Sequence, residues 1–295
     1  CKDWLTNKVD RCVTGKVALQ QCTGPLQLPL NNCGVMALDF NSNDGVVTSI
    51  GHSPITSLID PASGSRNSIG EALTNLIWSP LKDGLRSVSL SANWMWPANN
   101  NGENSRLYDA VKACSDFCIE LGINVPTGKD SLSMKTKWSD YEVASPLSGT
   151  LTGMSPVSDV RNAITPEIIN IQDSTILHIA LNDKSRLGGS IYDSIYDLGN
   201  TSTPDVDNTE ALKSLFNTTQ SNLDNGNLLA LHDVSDGGIL LATAEICILN
   251  NIGFVFNTDD INWLFGENQG LYLICLLYTS PSPRDLSTSR MPSSA

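Results

Sequence analysis

LLALHDVSDGGILLATAEICIL, residues 228–249, joins two apolar runs through a short polar loop. The first run predicts a buried strand that ends at Asp233, and the second predicts a helix that follows Gly237 and Gly238. Ligands bind at the ends of such strands, and glycines before a helix let backbone N–H groups approach a phosphate. Asp233 could therefore hold a metal ion. In the alternative interpretation, Asp236 is only a helix N-cap and the glycines only form a turn.

The segments on either side of residues 228–249 predict a mixture of strands and helices. Their order is irregular and shows no internal repeat, which favours the α+β class. Helices are predicted within 61–80, over 105–121, after the Gly-Gly pair of 186–199 and over 209–223. Strands are predicted as a hairpin over 33–50, over 87–94, at the start of 122–134 (leading into a glycine-containing loop), and over 145–157, 175–181 and 252–257.

The polar stretch 138–144 marks the predicted boundary between two domains. A chain of 295 residues suggests two domains, at roughly 150 residues each. We expect a first domain over 1–138 and a second over 139–275. The apolar pattern then gives way, inside a predicted strand, to a segment rich in Ser and Pro, so we expect 276–295 to be a non-native or disordered tail. Because Cys1 stands where an initiator Met would be, we expect the chain to start within a longer protein.

Composition and charge exclude several classes of protein. The net charge of −13 argues against binding to nucleic acid and to anionic membrane surfaces, both of which favour a basic face. No run of about 18 apolar residues predicts a transmembrane helix, and no signal peptide is recognisable, so we expect a cytoplasmic protein. None of the 8 cysteines forms a CxxC pair. Cys114 and Cys118 are four residues apart in a predicted helix, which favours a buried core pair over a metal site.

Two further segments carry residues suited to ligand binding. Glu71 and Asn75 lie four residues apart in a predicted helix, so their oxygens would project from one face and suit Mg²⁺; the alternative is a solvated helix face. The stretch TGKDSLSM, residues 127–134, contains Gly, Lys and Ser that could cradle an anion, although it is not a Walker A motif. Only 3 histidines occur, which argues against a His-rich zinc site. His232 is flanked by apolar residues and is expected to be structural, and no residue is assigned a catalytic role.

Five motifs occur in a characteristic order along the chain: KVDRCVTGKVALQQCTGPLQLPL, IGEALTN, LSANWMW, TGKDSLSMK and LHDVSDGG. In this order they resemble the large, single-chain phosphoribosylformylglycinamidine synthase (FGAM synthase) family of purine biosynthesis, over residues 2–273. The resemblance implies an aminoimidazole-ribonucleotide-synthetase-like N-terminal domain followed by a truncated C-terminal domain of the same type. It implies an ATP-dependent carbon–nitrogen ligase that amidates formylglycinamide ribonucleotide with glutamine-derived ammonia.

The resemblance also implies which parts of such an enzyme are present. The chain corresponds to the second half of the synthetase core, so the first half and the glutaminase of the same protein would be its partners. We therefore expect no synthase activity from this chain alone, and no cysteine here is expected to be the glutaminase nucleophile. An alternative is that this half is a non-catalytic, nucleotide-binding scaffold. A related synthetase acting on another small molecule is a third possibility.

Site residues follow from the resemblance motif by motif. The implied cofactors are Mg²⁺ and ATP or ADP. Asn32 stands where the family pattern has Asp, so the site loses one negative charge. The implied metal ligands are Asn32, Glu71, Asn75 and Asp233; the implied nucleotide contacts are Lys2, Ser235 and the backbone of Asn31; and the substrate-facing candidates are Gly128, Lys129 and Ser131.

Overall fold

The computed structural model describes residues 15–169, 174–181, 185–268 and 272–277. Helices and strands of this part of the chain are mixed, and the predicted α+β class is confirmed. The strands are β1 Val17–Leu19, β2 Gly34–Ala37, β3 Gly45–Gly51, β4 Ser89–Met95, β5 Asn124–Ser131, β6 Lys135–Trp138, β7 Tyr141–Ala144, β8 Ser148–Val157, β9 Ser174–Ile179, β10 Leu228–Asp233 and β11 Tyr272–Leu277. The α-helices are α1 Pro54–Ile59, α2 Pro61–Leu76, α3 Glu103–Leu121, α4 Ile191–Tyr196, α5 Thr209–Asp224, α6 Gly238–Asn250 and α7 Ile261–Phe265.

A six-stranded sheet organises the first part of the molecule, in the order β1-β2-β3-β8-β4-β5. Its neighbours are antiparallel except β4 and β5, which run parallel. Helix α2 packs on β3 and β8 and against α3. The buried residues between them include Ile69, Leu73, Leu90, Phe117 and Leu151. This core is contiguous, so α2 has a fixed position over the sheet.

The contact between α2 and the sheet is unusually close at Gly51. A Cβ atom at Gly51 would lie 2.0 Å from the carbonyl oxygen of Ser68, which is inside the contact distance of real side chains. Only glycine allows the end of β3 to approach the helix this closely. The last two turns of α2 are therefore held directly against the end of β3.

Strand β8 belongs to the first sheet. The sequence prediction has the 145–157 strand open the second domain, but β8 pairs with β3 on one side and β4 on the other. A boundary after residue 138 would separate β8 from both partners. The domain division stays a proposal, and the pairing favours placing it after Val157.

The second part packs against the first through a smaller antiparallel sheet and its helices. This sheet has the order β10-β11-β9. Leu212 and Phe216 of α5 and Leu231 of β10 join the same core as the first sheet. A separate cluster with Ile239 and Ala242 lies between α6 and β10. The two parts thus share one core, and β10 lies between the two clusters.

Other sequence predictions have mixed outcomes. The helix predicted over 105–121 is α3, which ends with Gly122 at a φ of 74°. Cys114 and Cys118 are buried in the core with free thiols, as predicted. The strand predicted over 252–257 is wrong: the alternating Phe254 and Phe256 pack on each other and Phe256 packs on Trp263.

The described residues do not form a helix that is both long and apolar enough to cross a membrane. Of the predicted tail, only residues 276 and 277 are described, and they complete β11.

Candidate functional site

The last turns of α2 present Glu71 and Asn75 on one face, as the spacing predicts. Glu71 Oε2 accepts a hydrogen bond from the backbone N–H of His52 at 2.6 Å. The Asn75 side-chain amide donates to the carbonyl of Ile50 at 3.0 Å. Both side chains are therefore anchored at the end of β3, next to the close contact at Gly51.

Asp233 reaches the same region from the second part of the chain. It is the last residue of β10 and is 6% exposed. Asn32, which lies just before β2, donates its side-chain amide to Asp233 Oδ1. The two residues are 201 positions apart in sequence, so this contact joins the two parts of the molecule. Two of the four predicted metal ligands are thus in direct contact.

The charge of Glu71 acts on Asp233, which places Glu71 in the same group of side chains as Asn32 and Asp233. Burial raises the pKa of Asp233 to about 6, with the charge of His232 acting against this and that of Glu71 adding to it. Glu71 is therefore close enough to repel Asp233, and a cation between them would relieve that repulsion. The described residues contain no group of three or more His, Cys, Asp or Glu side chains placed to hold a metal. The candidate ligand set is instead two carboxylates and two carboxamides, whose oxygens suit Mg²⁺.

His232 is buried behind Asp233, in agreement with the structural role predicted for it. Its Nε2 lies 2.8 Å from Glu245 Oε2, and its ring meets Trp78 edge-on at a centroid distance of 6.0 Å. Its Nδ1 is 3.9 Å from Asp233 Oδ1. Packing on Trp78 and contact with Glu245 fix the ring, which in turn supports the end of β10.

The loop after Asp233 turns sharply through its two glycines. Gly237 has a φ of 81° and Gly238 a φ of 67°, which side chains rarely adopt. The N-cap of α6 is Gly237, with no side-chain cap, so the interpretation of Asp236 as the N-cap is wrong. Ser235 accepts a hydrogen bond from Gly238 N–H through its carbonyl at 3.0 Å.

Sequence reasoning missed Glu267, which fixes this loop. Its Oε1 accepts from Gly237 N–H at 2.7 Å and from Ile191 N–H at 2.9 Å. Burial raises the pKa of Glu267 to about 7 and Asp236 adds to the shift, while the two backbone N–H groups oppose it. One signal was available: a lone acidic residue among the apolar residues of WLFGENQGLYLI.

His52 is the second residue that sequence reasoning missed. It follows β3, and its imidazole Nδ1 lies 3.7 Å from Glu71 Oε2. The Glu71 carboxylate raises the pKa of His52, burial opposes this, and the charge of Asp236 adds to the rise. The 232–238 loop and the end of β3 are therefore neighbours. The position of His52 directly after a predicted strand was the available signal.

The predicted nucleotide contacts have different outcomes. Lys2 lies outside the described residues. The Asn31 side chain donates to the carbonyl of Gln20 at 2.6 Å and to Thr23 Oγ1 at 3.0 Å. Asn31 also lines a cavity of about 200 Å³, together with Thr165. Because its side chain is occupied by these partners, Asn31 would meet a ligand through its backbone.

Gly128, Lys129 and Ser131 lie apart from the candidate metal ligands. The glycine-containing loop predicted here is wrong: all three residues continue β5, because it pairs in parallel with β4. Lys129 Nζ donates to Ser131 Oγ at 2.7 Å. β5 is the edge strand, three steps from β3, or roughly 14 Å at about 4.8 Å per step.

Two family models match the chain. The FGAR-AT PurM_N-like domain matches residues 1–156, and the C-terminal domain of AIR synthase related proteins matches residues 173–277.

Solved structures with the same fold include enzymes from Thermotoga maritima. PurL of that organism, complexed with FGAR, is 16% identical with a TM-score of 0.63, covering 84% of this chain and 40% of that chain. The PurLQS structure from T. maritima is also 16% identical, with a TM-score of 0.60, covering 84% of this chain and 38% of that chain. AaThiL, complexed with AMPPCP and TMP, is 10% identical, with a TM-score of 0.55 and coverage of 88% and 83%. At these identities the likeness establishes the fold. The chain spans 40% or less of the two T. maritima chains.

Proposed function

The chain belongs to the FGAR-AT PurM_N-like family, and we propose that it is the part of an FGAM synthase that binds a magnesium nucleotide. One observation carries the proposal. Side chains from three separate regions, namely Asn32, the end of α2 and the end of β10, converge on one group of oxygen donors. The resemblance of the motifs implies these same residues as metal ligands.

Asn32, Glu71, Asn75 and Asp233 would hold Mg²⁺. Their oxygens are of the type that Mg²⁺ prefers, and the repulsion between Glu71 and Asp233 is what a bound cation would offset. When bound, Mg²⁺ would supply charge neutralisation for the phosphate oxygens of a nucleotide.

The chain's own residues would bind and orient the nucleotide. Gly237 and Gly238 let backbone N–H groups come close to phosphate at the start of α6. Ser235 precedes them and offers a hydroxyl, while Asn31 offers its backbone beside a cavity of about 200 Å³. The proposal includes Lys2 as a further nucleotide contact.

Family membership supports a proposal for the reaction of the complete protein. We propose that it is an ATP-dependent carbon–nitrogen ligase in purine biosynthesis. It would amidate formylglycinamide ribonucleotide with glutamine-derived ammonia, with ADP and phosphate as products. Gly128, Lys129 and Ser131 would face substrate at a site shared with the first half of the synthetase. A cytoplasmic location belongs to this proposal, and the free thiols of Cys33, Cys114, Cys118 and Cys247 support it.

A second candidate function is a non-catalytic nucleotide-binding scaffold. The observation that favours it is Asn32, whose amide donates to Asp233 in place of a third carboxylate. A less negative site would hold a nucleotide without activating it. ADP that stays bound through purification and does not exchange with added labelled ADP would favour this candidate. Rapid exchange would favour turnover at this site.

Calorimetric titration of the purified chain with ADP, with and without Mg²⁺, tests the proposal. We expect Mg²⁺-dependent binding that Glu71→Gln weakens at least roughly tenfold, because it removes one of two carboxylates. Glu210→Gln is the matched control, since it neutralises an exposed carboxylate on α5 that pairs with Lys213. Equal affinity in wild type and Glu71→Gln, or binding unaffected by Mg²⁺, would contradict the proposal.

A further inference from the structure

Glu267 connects two glycine-containing loops through one carboxylate oxygen. Its Oε1 accepts from Gly237 N–H at 2.7 Å, at the start of α6, and from Ile191 N–H at 2.9 Å, at the start of α4. Glu267 is 8% exposed. Both donors are backbone groups at helix starts, where N–H groups lack a partner within the helix.

The two helices depend on Glu267 to different degrees. Helix α4 has a second cap, because Ser190 Oγ accepts from Asp193 N–H at 3.0 Å. Helix α6 has no side-chain cap of its own. Glu267 therefore serves as a cap for α6, from a residue 30 positions away in sequence. Removing it leaves the start of α6 without this acceptor.

The geometry of the turn makes that acceptor important for the loop. Gly237 and Gly238 adopt positive φ values, and glycine has more backbone freedom than other residues. The same turn includes the hydrogen bond from Gly238 N–H to the Ser235 carbonyl. An anchored Gly237 thus fixes the segment between Asp233 and α6.

A buried carboxylate is a costly way to make a structural contact. Burial raises the pKa of Glu267 to about 7, and nearby Asp236 also disfavours the charged form. A serine N-cap, such as the one at α4, would satisfy a helix start without this cost. The Glu267 carboxylate is therefore more than a helix cap, because it also holds the loop that contains Gly237.

We propose that Glu267 is a positioning residue for nucleotide binding: by holding Gly237 N–H, it sets the loop that places Asp233 and Ser235 toward the nucleotide. This inference rests on the proposed function. Its Oε1 is occupied by the backbone N–H groups of Gly237 and Ile191, so the role proposed for Glu267 is to position the loop and not to contact the nucleotide.

Three substitutions test the role. Glu267→Ala removes the acceptor, and Glu267→Asp shortens the side chain so that one oxygen cannot reach both N–H groups. Glu267→Gln keeps an oxygen acceptor of the same length. We expect Ala and Asp to weaken Mg-ADP binding roughly tenfold, the size of effect seen for groups that orient ligand-binding residues. We expect Gln to restore binding to within about threefold of wild type.

Asp260→Ala is the matched control. Asp260 Oδ1 accepts from Asn262 N–H at 3.0 Å and Trp263 N–H at 3.3 Å, so it also caps a helix start through one oxygen. It lies seven residues before Glu267, and its described bonds reach neither glycine-containing loop. Thermal unfolding should show a lower Tm for Asp260→Ala, while the affinity of this variant for Mg-ADP stays at the wild-type value.

Amide hydrogen exchange of the metal-free chain provides a readout that does not depend on nucleotide. Exchange at residues 237 and 238 should be faster in Glu267→Ala and unchanged in Asp260→Ala. Wild-type affinity in both Glu267→Ala and Glu267→Asp would overturn the inference, as would equal losses of affinity in Glu267→Ala and Asp260→Ala. A wild-type chain that does not bind Mg-ADP would overturn the proposed function, and this inference with it.

Discussion

The 232–238 loop and the 127–131 segment of β5 contain similar residues but are held very differently. Each has glycine, serine and a charged side chain in a short stretch. The loop is anchored from several directions, by Asn32, by Glu267 and by the packing of His232 on Trp78. The β5 segment pairs with β4 on one side, and Lys129 contacts its own neighbours.

This difference shows what makes a ligand site recognisable. Both stretches match a composition suited to anions, yet only the loop joins side chains that lie far apart in sequence. The contact between Asn32 and Asp233 needs both parts of the molecule, whereas β5 keeps its shape by pairing with β4 within the first part. Convergence of side chains from separate segments therefore indicates a ligand site better than the residues of a single motif do.

Asn32→Asp should have the largest effect. It should lower the stability of the metal-free chain and strengthen the binding of Mg-ADP. It replaces the amide that donates to Asp233 with a third carboxylate, which adds to the repulsion that Glu71 already exerts on Asp233. Loss of a charged hydrogen bond plus this repulsion should lower the free energy of unfolding of the metal-free chain by about 3 kcal/mol. Mg-ADP binding should become stronger, roughly tenfold, because the site gains a hard anionic ligand.

Urea unfolding without metal and calorimetry with Mg-ADP measure these two effects. Asn225→Asp is the control, since it makes the same change at the exposed end of α5. A variant that is as stable as wild type without metal would mean that Asn32 and Asp233 are not in contact.

Asp205→Ala tests how the helix that carries Glu71 is joined to the second part of the chain. Arg66 of α2 forms a bidentate pair with Asp205, at 2.7 and 2.6 Å, and Ser63 Oγ also donates to it. The pair is partly exposed, so its removal should cost about 2 kcal/mol, between the values for buried and surface pairs. Chemical unfolding measures this loss.

Asp159→Ala gives a comparison for that result. Asp159 pairs in a similar bidentate way with Arg161, but Arg161 is exposed and the two residues are two positions apart. Its removal should cost less than that of Asp205. Equal losses in the two variants would show that the contact between the parts contributes nothing beyond local pairing.

The pH dependence of stability should differ between wild type and Glu267→Gln. Burial raises the pKa of Glu267 from 4.5 to about 7, so between these values the folded chain binds a proton that the unfolded chain does not. The stability of wild type relative to Glu267→Gln should therefore rise as the pH falls from 7 to 4.5, and fall as the pH rises. The expected change is at most about 3 kcal/mol, at about 1.4 kcal/mol per pKa unit.

Unfolding of both proteins in urea at several pH values measures this difference, since the titration of groups that do not interact with Glu267 cancels in the comparison. A difference between wild type and Glu267→Gln that does not vary with pH would contradict the raised pKa of Glu267.

Glycine substitutions in the two segments give the smallest expected effects. Gly237→Ala places a side chain at a φ of 81°, with its Cβ 2.7 Å from Leu241 Cδ2, and should cost about 1 kcal/mol. Gly128→Ala meets the carbonyl of Ala92 at 3.4 Å in ordinary strand geometry and should cost less than about 0.5 kcal/mol. Urea unfolding midpoints compare the two. A larger loss for Gly128→Ala would reverse the contrast between the segments.

Local features of the fold could be predicted from the sequence. The spacing of Glu71 and Asn75 and the stop at Gly122 depend on helix period and backbone freedom, which a few neighbouring residues determine. Strands β4 and β10 follow from their apolar patterns in the same way. The motif order also identified the family that the domain models confirm.

Features that depend on pairing between distant segments could not be predicted. The alternating pattern of β8 shows which residues face the core but not which strands are its partners, so its place between β3 and β4 was missed. The extended conformation of Gly128 depends on parallel pairing with β4, although the residues alone suggest a loop. Glu267 was missed because its role is defined by Gly237 and Ile191, which are far away in sequence.

The hydrogen bond between Asn32 and Asp233 can form only late in synthesis, because Asp233 lies 201 positions after Asn32. Asp233 is made 158 residues after Asn75, which at about 5–20 residues per second is a delay of roughly 10–30 s. The first sheet is complete with β8 at Val157, so α2 can bury its apolar face during that delay. During this delay Glu71 is already in place, but Asp233 has not yet been synthesised. A nucleotide held by both residues can therefore stabilise only a chain whose second part has already emerged and folded.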